Sequence, residues 1–306
     1  MTVRSRTARL SSAVAAGMLA VLANASPVVA APADGLLVFQ SDRGGQLDLW
    51  TMRADGSGAT RLTDDKVADV FPEYSPSGRM IAWSRGDASR REVWVMDTDG
   101  TNWRQVTVNT FRDDDVVWSP DSSRLAYRSV RDGNMDIYVI GADGTGERRL
   151  TAAPGRDLAP DWSPDGSRIT FSSDRSGALA VYSMSAVDGG DVRKLTPDSL
   201  NGAAARYSPD GSLLAFADGF CDTCGESDLW VMAPDGSGLR QVTNTATNEI
   251  PEAWSRNGAR LVVDFARLSG NALSKGDIAV VTVATSATVA LTSTTGIDEG
   301  HPDWQP

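Results

Sequence analysis

Few side chains in this sequence are equipped for chemistry. His301 is the only histidine, and Cys221 and Cys224 are the only cysteines. Imidazole relays and four-ligand zinc sites therefore start with too few parts. No Gly-x-Ser-x-Gly nucleophile elbow is present. Cys221-x-x-Cys224 fits a local disulfide, with redox or metal use as the alternative. Asp97-x-Asp99-Gly100 imitates the start of a calcium loop, but no Glu follows where such a loop needs one, which leaves a hairpin turn. Carboxylates offer more. Asp69, Asp113, Asp157, Glu249 and Glu299 each stand five residues before an aromatic, and Gly202 holds the sixth such place. Gathered into a ring, they would focus a negative potential that draws a cation or a basic partner. They would also offer an acid and a base with separated pKa values. The alternative is that each carboxylate accepts hydrogen bonds from its own loop backbone.

What would gather them is a repeat. The aromatics are Tyr74, Trp118, Trp162, Tyr207, Trp254 and Trp304, at intervals of 44, 44, 45, 47 and 50. An Asp-Gly pair recurs beside them at Asp55, Asp99, Asp143, Asp188 and Asp235. Units of this length with four short strands are blades of a β-propeller. Residues 157–196 show the plan most clearly. Strands are expected at 160–163, 168–172, 181–184 and 193–196. Ser163-Pro164-Asp165-Gly166 has the residue order of a type I turn, and Asp188-Gly189 marks a hairpin needing positive φ. The second and third strands are apolar on both faces, as sheets covered on both sides require. Six aromatic boxes give an all-β, six-bladed propeller. Its first blade opens with a second strand at Leu37-Val38-Phe39-Gln40, and the tail His301-Pro302-Asp303-Trp304 supplies the missing first strand. Closing the ring this way removes exposed edges.

Asp157-Leu158-Ala159-Pro160-Asp161-Trp162-Ser163-Pro164-Asp165-Gly166, Asp136 to Gly144, Ser41-Asp42-Arg43 and Ser173-Asp174-Arg175 resemble the WD40-like PD40 repeat of the TolB-type propellers. The resemblance covers residues 36–306 and is specific for the fold. Such blades also occur in prolyl-oligopeptidase-like enzymes, so fold likeness by itself is a weak guide to function. The α/β domain that precedes TolB-type propellers is not expected here, nor is a hydrolase domain.

Arg4, Arg6 and Arg9, the apolar run from Ala13 to Ala23, and the small residues Val28-Val29-Ala30-Ala31 fit a secretory signal peptide over residues 1–30, cut after Ala30 or Ala31. Residues 31–35 are then a short linker and 36–306 the propeller. Losing residues 1–30 removes three arginines and no acid, taking the formal charge from -11 to -14. So acidic a chain is a poor partner for nucleic acid. A monomer outside the cytoplasm, periplasmic or extracellular, without a membrane span, is expected.

Strand parity sorts the loops. The Ser-Pro-Asp-Gly and Asp-Gly turns share one uniform face. The opposite face carries irregular loops at 85–91, 218–226 and 267–275, together with the carboxylate ring around the channel mouth. Binding usually resides on such loops. The leading expectation is a non-enzymatic binding propeller that recognises a protein or peptide of the cell envelope or extracellular space. The alternative is an extracellular hydrolase or lyase using mouth carboxylates on peptide or polysaccharide. A structural ring without a specific ligand is the third. No cofactor is expected beyond calcium or another cation at the mouth.

Overall fold

A computed structural model describes residues 35–219, 226–269, 272–273 and 276–306. The segment expected to be a signal peptide, residues 1–30, and the Cys221–Cys224 pair lie outside these residues. Among the described residues, no helix is long and apolar enough to cross a membrane.

Six antiparallel sheets follow one another along the chain. In the fourth, Asp157–Trp162, Arg168–Ser173, Ala180–Ser185 and Arg193–Lys194 pair in sequence order. The inner strand begins three residues earlier than the sequence suggests, because a bulge at Ala159-Pro160 lets pairing resume on its far side. The Ser163 turn forms as expected. Gly166 N–H donates to Ser163 O at 2.8 Å, and Arg168 N–H donates to Ser163 Oγ at 2.9 Å. Asp99 likewise accepts from Thr101 N–H at 3.0 Å, making its loop a hairpin turn.

The first blade is shared between the chain's ends. Glu299–Trp304 lies antiparallel to Leu36–Ser41, matching Trp304 with Leu37 and Glu299 with Ser41. Asp48–Arg53 and Thr60–Arg61 complete it.

Alternation explains why the middle strands are apolar throughout. In Asp136–Gly141, Ile137 and Val139 join a core with Trp162 and Phe171 of the fourth blade. Tyr138 and Ile140 join the opposite core, with Val93 and Val95 of the second. Each blade is thus one wall of two cores. The Asp-Gly turns reinforce this stacking. Gly189 has φ +73°, and a Cβ there would sit 2.1 Å from Leu150 O on the preceding blade. Gly56 similarly meets Leu291 O across the seam between the last blade and the first. Glycine recurs at this place for two reasons, its backbone angle and its close approach.

The irregular face is less loop-like than expected. Met80–Asp87 and Arg90–Asp97 pair out to Asp87↔Arg90, so residues 85–91 are mostly a long hairpin. In the sixth blade, Arg260–Ser269 extends beyond its neighbours and pairs with Ala272–Leu273.

Candidate functional site

Each inner strand starts on the irregular face and runs down the channel, so its successive residues mark depth. The first place holds the predicted carboxylate ring, and the structure turns those carboxylates into their own blades. Asp69, Asp113, Asp157 and Glu299 are fully buried, and Glu249 is 1% exposed. Asp69 accepts from Trp83 Nε1 at 2.8 Å and from Arg85 Nη1 at 2.9 and 3.0 Å. Asp113 accepts from Arg131 Nη2 at 3.0 Å and Asn109 Nδ2 at 2.6 Å. Arg175 Nη2 reaches both oxygens of Asp157 at 2.9 Å, and Arg43 pairs with Glu299. Glu249 accepts from the hydroxyls of Thr243, Thr245 and Thr247.

The arginines have a second contact. Arg43 lies over Phe39 and Trp50, and Arg85 over Trp94 and Trp103. Arg131 covers Tyr127 and Tyr138, and Arg175 covers Phe171 and Tyr182. A carboxylate, an arginine and two rings form a clamp that ties the inner strand to the outer ones. In the fifth blade Phe216 fills the space instead, 3.1 Å from where a Cβ on Gly202 would be. Side-chain partners hold these carboxylates, rather than the backbone groups or open channel considered from sequence.

The third place faces the channel. Phe71, Asp115, Ala159, Ala204 and His301 occupy it, all with φ between 47° and 59°. That turn of the backbone frees an N–H toward the preceding blade. Gln40 Oε1 accepts it from Phe71 at 3.1 Å, Ser172 Oγ from Ala204 at 2.9 Å, and Asp264 Oδ1 from His301 at 2.6 Å. Behind Ala159 stands Arg128, which cannot accept, and Asp115 Oδ2 takes the bond at 2.8 Å. The sixth blade bulges one residue later, leaving Glu252 as its unpaired residue.

Together these residues shape a cup of about 280 Å³ at the mouth. Its walls are apolar: Phe71, Leu158, Ala159, Ala203, Ala204 and Ile250. Charged groups stand at two places: Asp115 and Arg128 of the third blade, and a cluster in which His301 Nδ1 lies 3.2 Å from Glu252 Oε1 and Nε2 lies 3.8 Å from Asp264 Oδ2. Phe71 packs edge-on against the imidazole at 4.4 Å. Arg206 closes the bottom. It donates to Glu252 O at 2.8 Å and Glu252 Oε2 at 3.2 Å, and Arg206 and Glu252 line both this cup and a smaller polar cavity of about 180 Å³ beneath it. There Glu73, Asp161 and Asp303 accept from the backbone N–H of Trp118, Tyr207 and Tyr74 on the next blades.

This crowding separates the acids. Burial pushes Asp264 up to about 7 against the pull of His301. For Glu252, burial is outweighed by His301 and Arg206, and its pKa falls below the ordinary value. His301 rises to about 9, because Asp264 and Glu252 overcome the burial that would lower it. In the lower cavity burial raises Asp161 to about 6 and Asp303 to about 7. Neighbouring carboxylates in one shielded space with separated pKa values can hold a cation or serve as acid and base. Among the described residues, Glu252, Asp264 and His301 are also the group able to offer a metal three ligand atoms within 4.8 Å of one another.

His301 occupies the place of Phe71 and Ala159 in the repeat, and sequence reasoning singled it out only as the lone histidine and part of the closing strand. It missed Arg206, Glu252 and Asp264. The available signal was the third and fifth places of each inner strand, where the blades differ from one another.

The PD40 family, described as the TolB beta propeller domain, matches residues 115–306. Among curated proteins, an uncharacterized protein of Agrobacterium fabrum is 42% identical over 52 residues, 17% of this chain and 18% of that protein. TolB from Acinetobacter baumannii superposes with a TM-score of 0.74 at 21% identity, covering 90% of this chain and 68% of its own. A TolB-like structure from Agrobacterium tumefaciens gives 0.67 at 19% identity, covering 86% and 90%. An oligogalacturonate lyase from Vibrio parahaemolyticus gives 0.57 at 16% identity, covering 83% and 73%. At these identities the structural likenesses show the fold alone.

Proposed function

The chain belongs to the TolB β-propeller (PD40) family, and on that scaffold we propose an exported, non-enzymatic binding propeller, working as a monomer, that takes a segment of a protein or peptide partner into the cup. The partner belongs to the cell envelope or extracellular space. One observation carries this reading. The channel opens on the irregular face as a largely apolar cup with a few charged groups set in its wall. That is the form of a site that anchors one or two side chains and orients them by a few polar contacts. Asp69, Asp113, Asp157, Glu249 and Glu299 serve the site from behind its rim, by fixing the inner strands that form it.

The test is capture from envelope and medium fractions by the purified protein and by Leu158→Arg and Ile250→Arg. Both residues are half-buried wall positions, so either arginine fills the cup without touching a clamp. A partner enriched by the wild type and lost by both variants supports the reading. An unchanged set of captured proteins, or none, overturns it.

A second reading is an extracellular hydrolase or lyase acting on peptide or polysaccharide. The separated pKa values of Asp264 and Glu252 favour it, since one carboxyl takes up and releases its proton near neutral pH while the other stays ionised. Turnover of a polysaccharide or peptide panel at neutral pH, abolished in Asp264→Asn, would displace the binding reading.

A further inference from the structure

We propose that Glu252, Asp264 and His301 form a binding site for a divalent transition-metal ion of the manganese or zinc class, in the wall of the cup. The donor set is one imidazole nitrogen and two carboxylates, which suits these metals better than calcium, whose ligands are oxygens. The spacing fits. His301 Nε2 and Asp264 Oδ2 stand 3.8 Å apart, a gap that two metal–ligand bonds of about 2.1 Å can bracket. Glu252 Oε1 approaches the same ring from its other nitrogen at 3.2 Å, and all three residues can present a ligand atom within 4.8 Å of the others. Asp264 divides its oxygens, Oδ1 accepting the His301 N–H and Oδ2 facing the imidazole. Gly300 leaves room for this, since a Cβ there would stand 3.1 Å from both carboxylate oxygens.

The repeat supplies an independent argument. At the place of Asp264 the fold needs only a hydrogen-bond acceptor, and Gln40 and Ser172 do that work in other blades. At the place of His301 it accepts a phenylalanine, an alanine or an aspartate. A carboxylate facing an imidazole therefore exceeds what this scaffold requires. His301 keeps 32% of its side chain exposed, so an ion can reach it from the mouth. The three residues border the cup, from which a donor of a bound partner or water would complete the shell.

The same repeat provides variants that preserve folding. Asp264→Ser installs the residue of the fourth blade, and His301→Phe that of the second. The purified full chain, stripped with chelator, is titrated with manganese and followed by electron paramagnetic resonance and calorimetry. Manganese is the primary probe because the two cysteines favour softer metals. Zinc is then added in competition, and calcium is titrated separately. The expected result is one manganese per chain, displaced by zinc, with affinity falling by about 100-fold or more in each variant. Circular dichroism melts verify that both variants are folded. No manganese binding, binding retained by the folded variants, or calcium binding that equals manganese would each overturn the assignment.

Discussion

Asp157→Ala is the sharpest way to separate a structural ring from a ligand-binding one. The carboxylate is buried and receives Arg175 Nη2 at 2.9 Å on both oxygens. Removing it leaves a guanidinium with 17% of its side chain exposed, lying over Phe171 and Tyr182. Breaking a fully buried pair costs about 3–5 kcal/mol. Because Arg175 retains some water, the expected loss is about 2–4 kcal/mol. In a ring of this size that lowers Tm by roughly 5–10 °C. Urea unfolding followed by tryptophan fluorescence measures it, with Asp165→Ala in an exposed turn as the control that should change much less. The cycle with Arg175→Ala and the double variant isolates the pair, and a coupling of about 2 kcal/mol is expected for contacting residues of this kind. A loss under about 1 kcal/mol, or coupling near zero, would refute the clamp and return Asp157 to the list of groups available to a ligand.

Burial raises the Asp161 pKa to about 6 in the folded chain, so the native state holds that proton more tightly than the unfolded one. The stability this contributes is complete below about pH 4 and is lost as pH rises through 6, amounting to at most roughly 3 kcal/mol. Asp161→Asn keeps an acceptor for Tyr207 N–H, and its stability relative to wild type should climb between pH 4 and pH 8; a difference that stays flat across that range is the contrary result. Gly189→Ala and Gly166→Ala share a φ near +70°, but only the first puts a Cβ 2.1 Å from a neighbouring carbonyl. Thermal melts should show the first costing at least about 2 kcal/mol more, and equal losses would remove the docking role of the Asp-Gly turn. Arg206→Ala leaves Glu252 without its guanidinium and is expected to destabilise by about 3–5 kcal/mol, measured by urea unfolding against wild type.

The fold was legible because a propeller must solve the same local problems six times. Each blade needs a turn like Ser163 to Gly166, a glycine like Gly189 to meet its neighbour, and apolar residues on both sides of strands such as Asp136–Gly141. Recurrence therefore marks structure. The same logic misdirected the search for a site. Asp69, Asp113 and Asp157 recur because their arginine clamps recur, and a search for repeated carboxylates finds clamps. The cup depends on departures from the repeat, such as histidine where other blades have phenylalanine, alanine or aspartate. Glu252 was further hidden by its own bulge, since Pro251 stands three residues before Trp254 whereas Pro72 stands two before Tyr74. Asp264 lies on a second strand, and only the packing of the last blade against the inner strand of the first brings it to His301.

The charge balance of the channel ties these readings together. Glu73, Asp115, Asp161, Glu252, Asp264 and Asp303 crowd around two arginines and one histidine. Burial raises Glu73, Asp161, Asp264 and Asp303, so the native state pays for holding them ionised near neutral pH. The rim clamps do not relieve that cost, because their arginines are engaged with the first-place carboxylates and the aromatic rings. Three internal cations moderate it: Arg128 beside Asp115, Arg206 between the cavities, and His301, whose raised pKa is the response to Asp264 and Glu252. A further cation entering the cup would lower the same repulsion from outside, whether it arrives as a metal ion or as a basic side chain of a partner. By linkage, its binding must stabilise the folded ring in proportion to RT ln(1 + [L]/Kd). Asp264→Ser should weaken that stabilisation while raising the stability of the empty ring near neutral pH, because it removes one of the mutually repelling acids and keeps the acceptor for His301. Opposite signs in the two measurements would distinguish a group retained for a cation from one retained for the fold.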